Sequence, residues 1–221
     1  MSNQDSFIDE VTEEVRRDRL FATFRRYGWI GIAAVIVIVG GAAINEWRKA
    51  SARAEAEALG DAVLSAFQTE SAAGRVEALA AIDPDDNAAR SAVLTLAQAT
   101  ALVEAGEVEE AVTLLETLSV DPGAPRVYQD LATLKAAIVG AGIVEPEIRI
   151  GRLNSLVSTG SAFSLMALEQ VALAEIEVGN TEAAIAALRQ ILVDANVTQD
   201  LRRRASQLMV SLGAPASALQ P

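Results

Sequence analysis

The side chains that enzymes use most often for chemistry are absent or isolated in this sequence. Its 221 residues include no cysteine and no histidine, which excludes a thiol nucleophile, a disulfide, a Ser-His relay and imidazole metal ligands. The only lysines are Lys49 and Lys135. A Ser-Lys mechanism would need Lys135 desolvated beside a serine, and the sequence gives no sign of that. Because there is no glycine-rich phosphate loop either, we expect neither enzymatic activity nor a cofactor.

The densest group of possible metal ligands is the segment DPDDN, residues 83–87. A calcium loop of the EF-hand type counted from Asp83 would need glycine at position 6 and glutamate at position 12. Those positions hold Ala88 and Leu94. The proline and the amide side chain of Asn87 favour a helix-breaking turn with an N-cap, so we predict no metal site.

The net charge of the chain restricts the kind of molecule that it can bind. The chain has 18 Lys+Arg against 30 Asp+Glu and a formal charge of −12, which argues against non-specific binding of nucleic acid. A cationic and aromatic minority stands out in the acidic part of the chain and is a candidate lining for a groove that binds a peptide or protein partner; ordinary surface charge and a packed tyrosine are the alternative. These residues are Arg126, Tyr128, Arg149 and Arg152. The run 202–204 fits a solvated helix face, with partner docking left open.

Residues 27–44 form an apolar segment without a charge, YGWIGIAAVIVIVGGAAI, which 45–47 extend. In a helix, 18 to 21 residues span roughly 27–31 Å, the thickness of the bilayer hydrocarbon. Tyr27, Trp29 and Trp47 lie at its ends, as membrane-interface anchors do. We therefore predict a helical tail over 1–26, a transmembrane helix over 27–47 and a further domain over 48–221. A buried core helix and a cleaved signal peptide are the alternatives, although the first 26 residues are acidic and long for a signal peptide.

Basic residues suggest an orientation for this helix. Five arginines precede the segment and three basic residues follow it, and the side richer in Lys and Arg usually stays in the cytoplasm. We therefore expect a membrane crossed once, with the N-terminus in the cytoplasm and residues 48–221 on the other side. In a bacterium that side is the periplasm.

After Arg48 the pattern is helix after helix, without a convincing alternating strand. Turn residues recur at intervals that leave helices of about 12 to 20 residues, a spacing typical of antiparallel hairpins. Residues 96–118 and 169–191 superimpose with an offset of 73, about two units of 36. A degenerate middle unit falls at 131–156, with Gly142 at its turn. The predicted fold is all-α, a transmembrane helix followed by an α-solenoid of degenerate hairpins, and an Ala-rich helical bundle is the alternative.

The two superimposed segments resemble the tetratricopeptide repeat. In that family a glycine ends the first helix, a small residue five positions later allows close packing, and a large apolar residue follows four positions on. The matching residues are Gly106, Ala111 and Leu115 in one unit and Gly179, Ala184 and Leu188 in the other. The family's early Trp and its Tyr are missing, and its closing Pro is displaced or absent, so the repeats are divergent.

The whole arrangement looks like the bacterial inner-membrane family described as ancillary subunits of the Sec translocon, most convincingly over 9–47 and 160–213. The resemblance implies a localisation in the bacterial inner membrane, with a periplasmic repeat domain. That domain would bind the translocon and a membrane-anchored periplasmic prolyl-isomerase-like chaperone. It also implies a role in handing over newly exported chains. A cell-envelope or cell-division coordinator and an accessory subunit of an energy-transducing membrane complex are the alternatives. Periodicity by itself supports only a helical-repeat scaffold.

Overall fold

The computed structural model describes the backbone of residues 3–214 and the side chains from Trp29 onward, except those of residues 31 and 32. This part of the chain contains nine helices and no strand. They are α1 (Asn3–Phe67), α2 (Ala72–Ala80), α3 (Ala88–Ala105), α4 (Val108–Val120), α5 (Arg126–Val139), α6 (Pro146–Ser158), α7 (Ser164–Glu177), α8 (Thr181–Val193) and α9 (Gln199–Ser211). The all-α prediction is confirmed for these residues. The chain divides into two compact units, Met1–Ala58 and Leu59–Pro221.

The first unit consists of the N-terminal part of α1, which continues without a break past both predicted domain boundaries, at 26/27 and 47/48. The large apolar side chains that the structure describes in this unit are exposed, including five consecutive residues from Val35 to Val39. Trp29 and Trp47 are exposed as well, whereas the side chain of Tyr27 lies outside the described residues.

The predicted transmembrane helix is the main correction. Among the residues that the structure describes, no helix is long and apolar enough to cross a membrane. The span over 27–47 is therefore wrong, as is the single-pass inner-membrane localisation with a cytoplasmic N-terminus and a periplasmic domain.

The second unit is built from stacked helical hairpins. Loops of two, six and three residues join α3 to α4, α5 to α6 and α7 to α8, which makes the helices of each hairpin antiparallel. Helix α4 also packs on α5, and α6 packs on α7. Because α3 touches α5 and α5 touches α7, these three helices form one layer, and α9 closes the stack against α8. This helical-repeat architecture is the one that the sequence periodicity predicts.

The repeat register is confirmed residue by residue. Gly106 and Gly179 both adopt the left-handed conformation that ends the first helix of a hairpin, with φ of +84° and +78°. The small residues that follow them, Ala111 and Ala184, and the large ones, Leu115 and Leu188, are all completely buried. The middle hairpin α5–α6 also turns where expected, at a left-handed Gly142.

Alanine dominates the core of the second unit. Among the described residues, 15 of the 32 buried hydrophobic residues are alanine, and none is aromatic. Small side chains let helices approach closely, and most of the other buried residues are leucines that fill the space between the helices. One apolar cluster joins α3 and α4 to Ala132 and Ala136 of α5, and a larger one joins Leu134 and Ala137 of α5 to the helices up to α9. A small third cluster around Leu79 attaches the end of α1 to α2 and α3.

Candidate functional site

One edge of the second unit gathers the loops 106–107, 140–145 and 178–180. The antiparallel hairpins bring the C-terminal ends of α3, α5 and α7 to the same side. Two contacts establish this neighbourhood: Lys135 Nζ of α5 donates a hydrogen bond to Thr100 Oγ1 of α3 at 3.0 Å, and Arg149 of α6 forms an ion pair with Glu177 of α7. We call these loops and the helix ends beside them the acidic edge. It carries Glu104, Glu107, Glu109, Glu110, Glu145, Glu147, Glu175, Glu177 and Glu182.

Arg149, a predicted partner-binding residue, lies inside the protein. Only 4% of its side chain is exposed, and it contacts three different elements. Its Nε donates to the carbonyl oxygen of Val144 at 3.2 Å, its Nη1 donates to that of Ala137 at 3.5 Å, and its Nη2 donates to the Glu177 carboxylate. A buried cation with three acceptors fixes the loop 140–145 against the end of α7, and its burial keeps it from contacting a partner.

The other three predicted residues lie elsewhere. Arg152 donates to the carboxylate of Glu116, which joins α6 to α4. Arg126 and Tyr128 belong to the first turn of α5, at the end of that helix opposite to the acidic edge, and the ring of Tyr128 packs on the core cluster of α3 and α4. The structure therefore does not bring the four residues together into one groove. Arg126 is the exposed member of the set.

Arg126 belongs to a polar network that sequence reasoning missed. Its Nε donates to Asp130 Oδ1 at 2.7 Å, and Asp130 Oδ2 accepts a hydrogen bond from the hydroxyl of Ser161, also at 2.7 Å. Asp130 and Ser161 are both buried, so this network connects α5 to the loop that precedes α7. The partners of Asp130 satisfy its buried carboxylate, which would otherwise be costly.

In the arginine run 202–204, Arg204 bonds to a residue of another helix. Arg204 binds the buried carboxylate of Glu169 through two parallel hydrogen bonds, Nε to Oε1 at 2.6 Å and Nη2 to Oε2 at 2.8 Å. This bidentate geometry ties α9 to α7 across a sequence separation that no local pattern reveals. Arg203, in contrast, makes an exposed pair with Asp200, as expected for a solvated face.

Lys135 is partly buried beside a hydroxyl, although the hydroxyl belongs to a threonine. Burial lowers the pKa of the Lys135 ammonium below its usual range. For nucleophilic chemistry the amine would have to accept the hydroxyl proton of Thr100. Instead the amine donates to Thr100 Oγ1, and the threonine directs its own proton to the carbonyl oxygen of Leu96 at 3.0 Å. The pair thus works as a bond between α3 and α5.

A cleft of about 470 Å³ opens between the loop 194–198, α9 and the first turn of α7. Ser164, Met166, Asp194 and Arg204 are among its lining residues. The guanidinium of Arg204 is already paired with Glu169, so the cleft offers no uncommitted cation within the described part of the chain.

The segment 83–87 forms the predicted turn, with Asn87 Oδ1 accepting from the amides of Ala89 and Arg90. Over the described residues, no three acidic side chains converge in a way that would hold a metal ion.

Comparison with known proteins identifies no relative. No protein-family model matches the chain, and no curated protein or solved structure is significantly similar to it.

Proposed function

We propose that this protein is a helical-repeat scaffold that binds other proteins. The observation that carries the proposal is the register of the hairpins: two of them repeat the same left-handed glycine and the same buried positions, and α3, α5 and α7 stack side by side into one continuous layer. Stacked repeats produce extended surfaces, and such surfaces bind proteins in many unrelated systems. The chemistry of the second unit agrees with binding, since Arg149, Arg152, Arg204 and Lys135 bond one helix to another.

We further propose that the partners belong to the protein-export machinery. The support for this is the sequence resemblance described above, which extends over the last hairpin and α9. On this proposal the scaffold associates with the Sec translocon and with a prolyl-isomerase-like chaperone, and it assists the handover of exported chains. Binding rather than catalysis is the proposed role.

Co-purification tests both statements. The full chain with a C-terminal tag is crosslinked in native cells, solubilised in mild detergent and captured, and its partners are quantified by mass spectrometry. A matched bait ends after residue 58 and so lacks the hairpins. We expect translocon subunits to be enriched with the full chain and lost with the short bait. Equal enrichment with both baits would contradict a role for the repeats, and no enrichment of export proteins would refute the assignment to export.

A further inference from the structure

An apolar patch interrupts the acidic edge. It consists of Val103, Ile138, Ile143, Ile148 and Val178, whose exposed fractions lie between 38% and 48%. Large aliphatic side chains are usually buried, and a group of them on one surface marks a place where another molecule binds. All five lie at the acidic edge, in its loops or in the adjoining helix ends and first turns.

Side-chain bonds show that these five residues belong to one surface. Thr100 and Lys135 are bonded across α3 and α5, and each lies three residues before a member of the patch, Val103 and Ile138 respectively. The buried Arg149 joins the other side, since it holds the loop that contains Ile143 against the residue that precedes Val178. The residues of the patch therefore lie at one edge, on all three hairpins.

The charge around the patch is of one sign. Of the nine glutamates at the acidic edge, Glu104 pairs with Arg75 and Glu177 with Arg149. None of the other seven forms an ion pair with a described residue. Three basic residues reach this edge, and each is engaged: Arg149 is buried against Glu177, Arg75 pairs with Glu104, and the partly buried Lys135 donates to Thr100. The potential at the surface of the patch is consequently negative, and a positively charged partner complements it.

Helix stability explains only some of these glutamates. Glu109, Glu110, Glu147 and Glu182 occupy first turns, where a carboxylate interacts favourably with the helix dipole. The same dipole makes a carboxylate unfavourable in a last turn. Glu104 lies in the last turn of α3, and Glu175 and Glu177 lie in that of α7. Since Glu175 has no compensating pair among the described residues, its position favours a role in binding.

We propose that the acidic edge is a docking surface for a basic amphipathic helix of a partner protein. The apolar face of that helix covers the five-residue patch, and its lysines and arginines face the glutamates that have no ion pair. This inference rests on the proposed scaffold function and names the surface and the chemistry of the partner.

The test uses the purified full chain and a fluorescein-labelled amphipathic peptide of about 18 residues with leucine on one face and lysine on the others. Fluorescence anisotropy should give a micromolar Kd that weakens about tenfold as the salt concentration rises from about 50 to about 500 mM. The double variant E145K/E147K should weaken binding about tenfold. Its matched control, D61K/E77K, makes the same change of charge on α1 and α2 and should leave Kd within about twofold.

The apolar contribution has its own pair of variants. Ile143→Ser should weaken binding several-fold, whereas Val120→Ser, an exposed valine at the end of α4, should not. Circular dichroism establishes that each variant folds. Equal weakening by both double variants would overturn the proposal, because net charge alone would then explain binding. A peptide with serine in place of leucine that binds equally well would overturn it too.

Two further outcomes separate this inference from the function proposed above. If E145K/E147K retains the co-purified partners of the wild-type chain, the docking surface is wrong and the scaffold function stands. If the peptide does not bind and E145K/E147K instead abolishes self-association in sedimentation experiments, the occupant is a second copy of this chain and the proposal fails.

Discussion

Removing the carboxylate of Glu177 should destabilise the middle of the repeat stack far more than removing a neighbouring carboxylate. In Glu177→Ala, the guanidinium of Arg149 stays buried, with only 4% of its side chain exposed, and loses its one anionic partner. An uncompensated buried charge typically costs 3–5 kcal/mol. Two carbonyl acceptors remain at 3.2 and 3.5 Å, and the Glu177 side chain is 39% exposed, so water can enter in its place. We therefore expect a loss of about 2–3 kcal/mol in the free energy of unfolding.

This loss corresponds to a change of about 30- to 160-fold in the unfolding equilibrium and to a fall of about 5–10 °C in Tm. Urea denaturation of the full chain, followed by far-ultraviolet circular dichroism, measures the free energy. Hydrogen exchange with mass spectrometry locates the effect, which should be a loss of protection in the loop 140–145 and at the end of α7.

Glu175→Ala is the matched control, because this glutamate lies on the same helix end and has no ion pair with a described residue. It should change stability by no more than about 0.5 kcal/mol. Glu177→Gln keeps an acceptor oxygen and should fall between the two alanine variants. If Glu177→Ala and Glu175→Ala were equally mild, and exchange in the loop were unchanged, the reasoning about the buried cation would be refuted.

Three other substitutions test the remaining bonds of the second unit. Lys135→Met should raise stability near neutral pH, and this advantage should shrink as pH rises towards 10.5 in urea titrations. The pKa of Lys135 is lower in the folded chain than in the unfolded one, so between those values the unfolded chain binds more protons and wild-type stability rises with pH. Arg204→Ala should lower the free energy of unfolding by about 2–3 kcal/mol, because it leaves the buried carboxylate of Glu169 unpaired. Gly106→Ala should cost about 1 kcal/mol in the same assay, since its φ of +84° is unfavourable for alanine although no atom lies within 4 Å of the new methyl group.

Each of these three predictions has an outcome that would contradict it. A pH-independent effect of Lys135→Met would mean that burial of the ammonium does not lower its pKa. A negligible effect of Arg204→Ala would mean that water solvates the carboxylate. For the glycine, the control is Gly151→Ala inside α6, where no steric contact and no positive φ exist and alanine should stabilise by about 0.5–1 kcal/mol. Equal effects of the two glycine substitutions would exclude a conformational cause.

The hairpins could be predicted because their signals are local. A glycine that must adopt a left-handed conformation and a small residue five positions later are visible in the sequence, and both recur at the offset of 73. Helix packing then forces the matching residues into equivalent buried positions. The turn of α5–α6 followed from the same glycine signal, even though the rest of that hairpin resembles the repeat only weakly.

The apolar segment of α1 led to a wrong prediction for a different reason. Sequence reasoning compared the length of the apolar segment 27–47 with the thickness of a bilayer. In the structure these residues belong to a single helix of 65 residues, and no helix among the described residues is long and apolar enough to cross a membrane. The length of an apolar window does not by itself decide whether a helix spans a membrane.

The candidate site was harder to foresee, since it depends on contacts between hairpins. Arg149 was singled out as an unusual cation in an acidic chain, which was a useful signal, but its burial against a residue 28 positions away is set by how α6 packs on α7. The exposed isoleucines of the acidic edge carry no sequence signal, because at the turn of a degenerate hairpin they read as ordinary core residues.

Several side-chain bonds join the middle hairpin, α5–α6, to its neighbours, and the two helices of this hairpin pack least on each other. Helices α5 and α6 pack on each other less extensively than the helices of the flanking hairpins do, and the loop that joins them is the longest of the three. The two main apolar clusters meet within α5 rather than within one hairpin. Arg149 and Arg152 of α6 form ion pairs with α7 and α4, and Asp130 of α5 accepts a hydrogen bond from the loop before α7.

The middle repeat is thus positioned mainly by its neighbours. A repeat held in this way needs little of the repeat consensus in its own sequence, which explains why it is the most degenerate of the three. The loop that Arg149 holds in place belongs to the docking surface proposed for the acidic edge, so binding there should be sensitive to the bonds of Arg149.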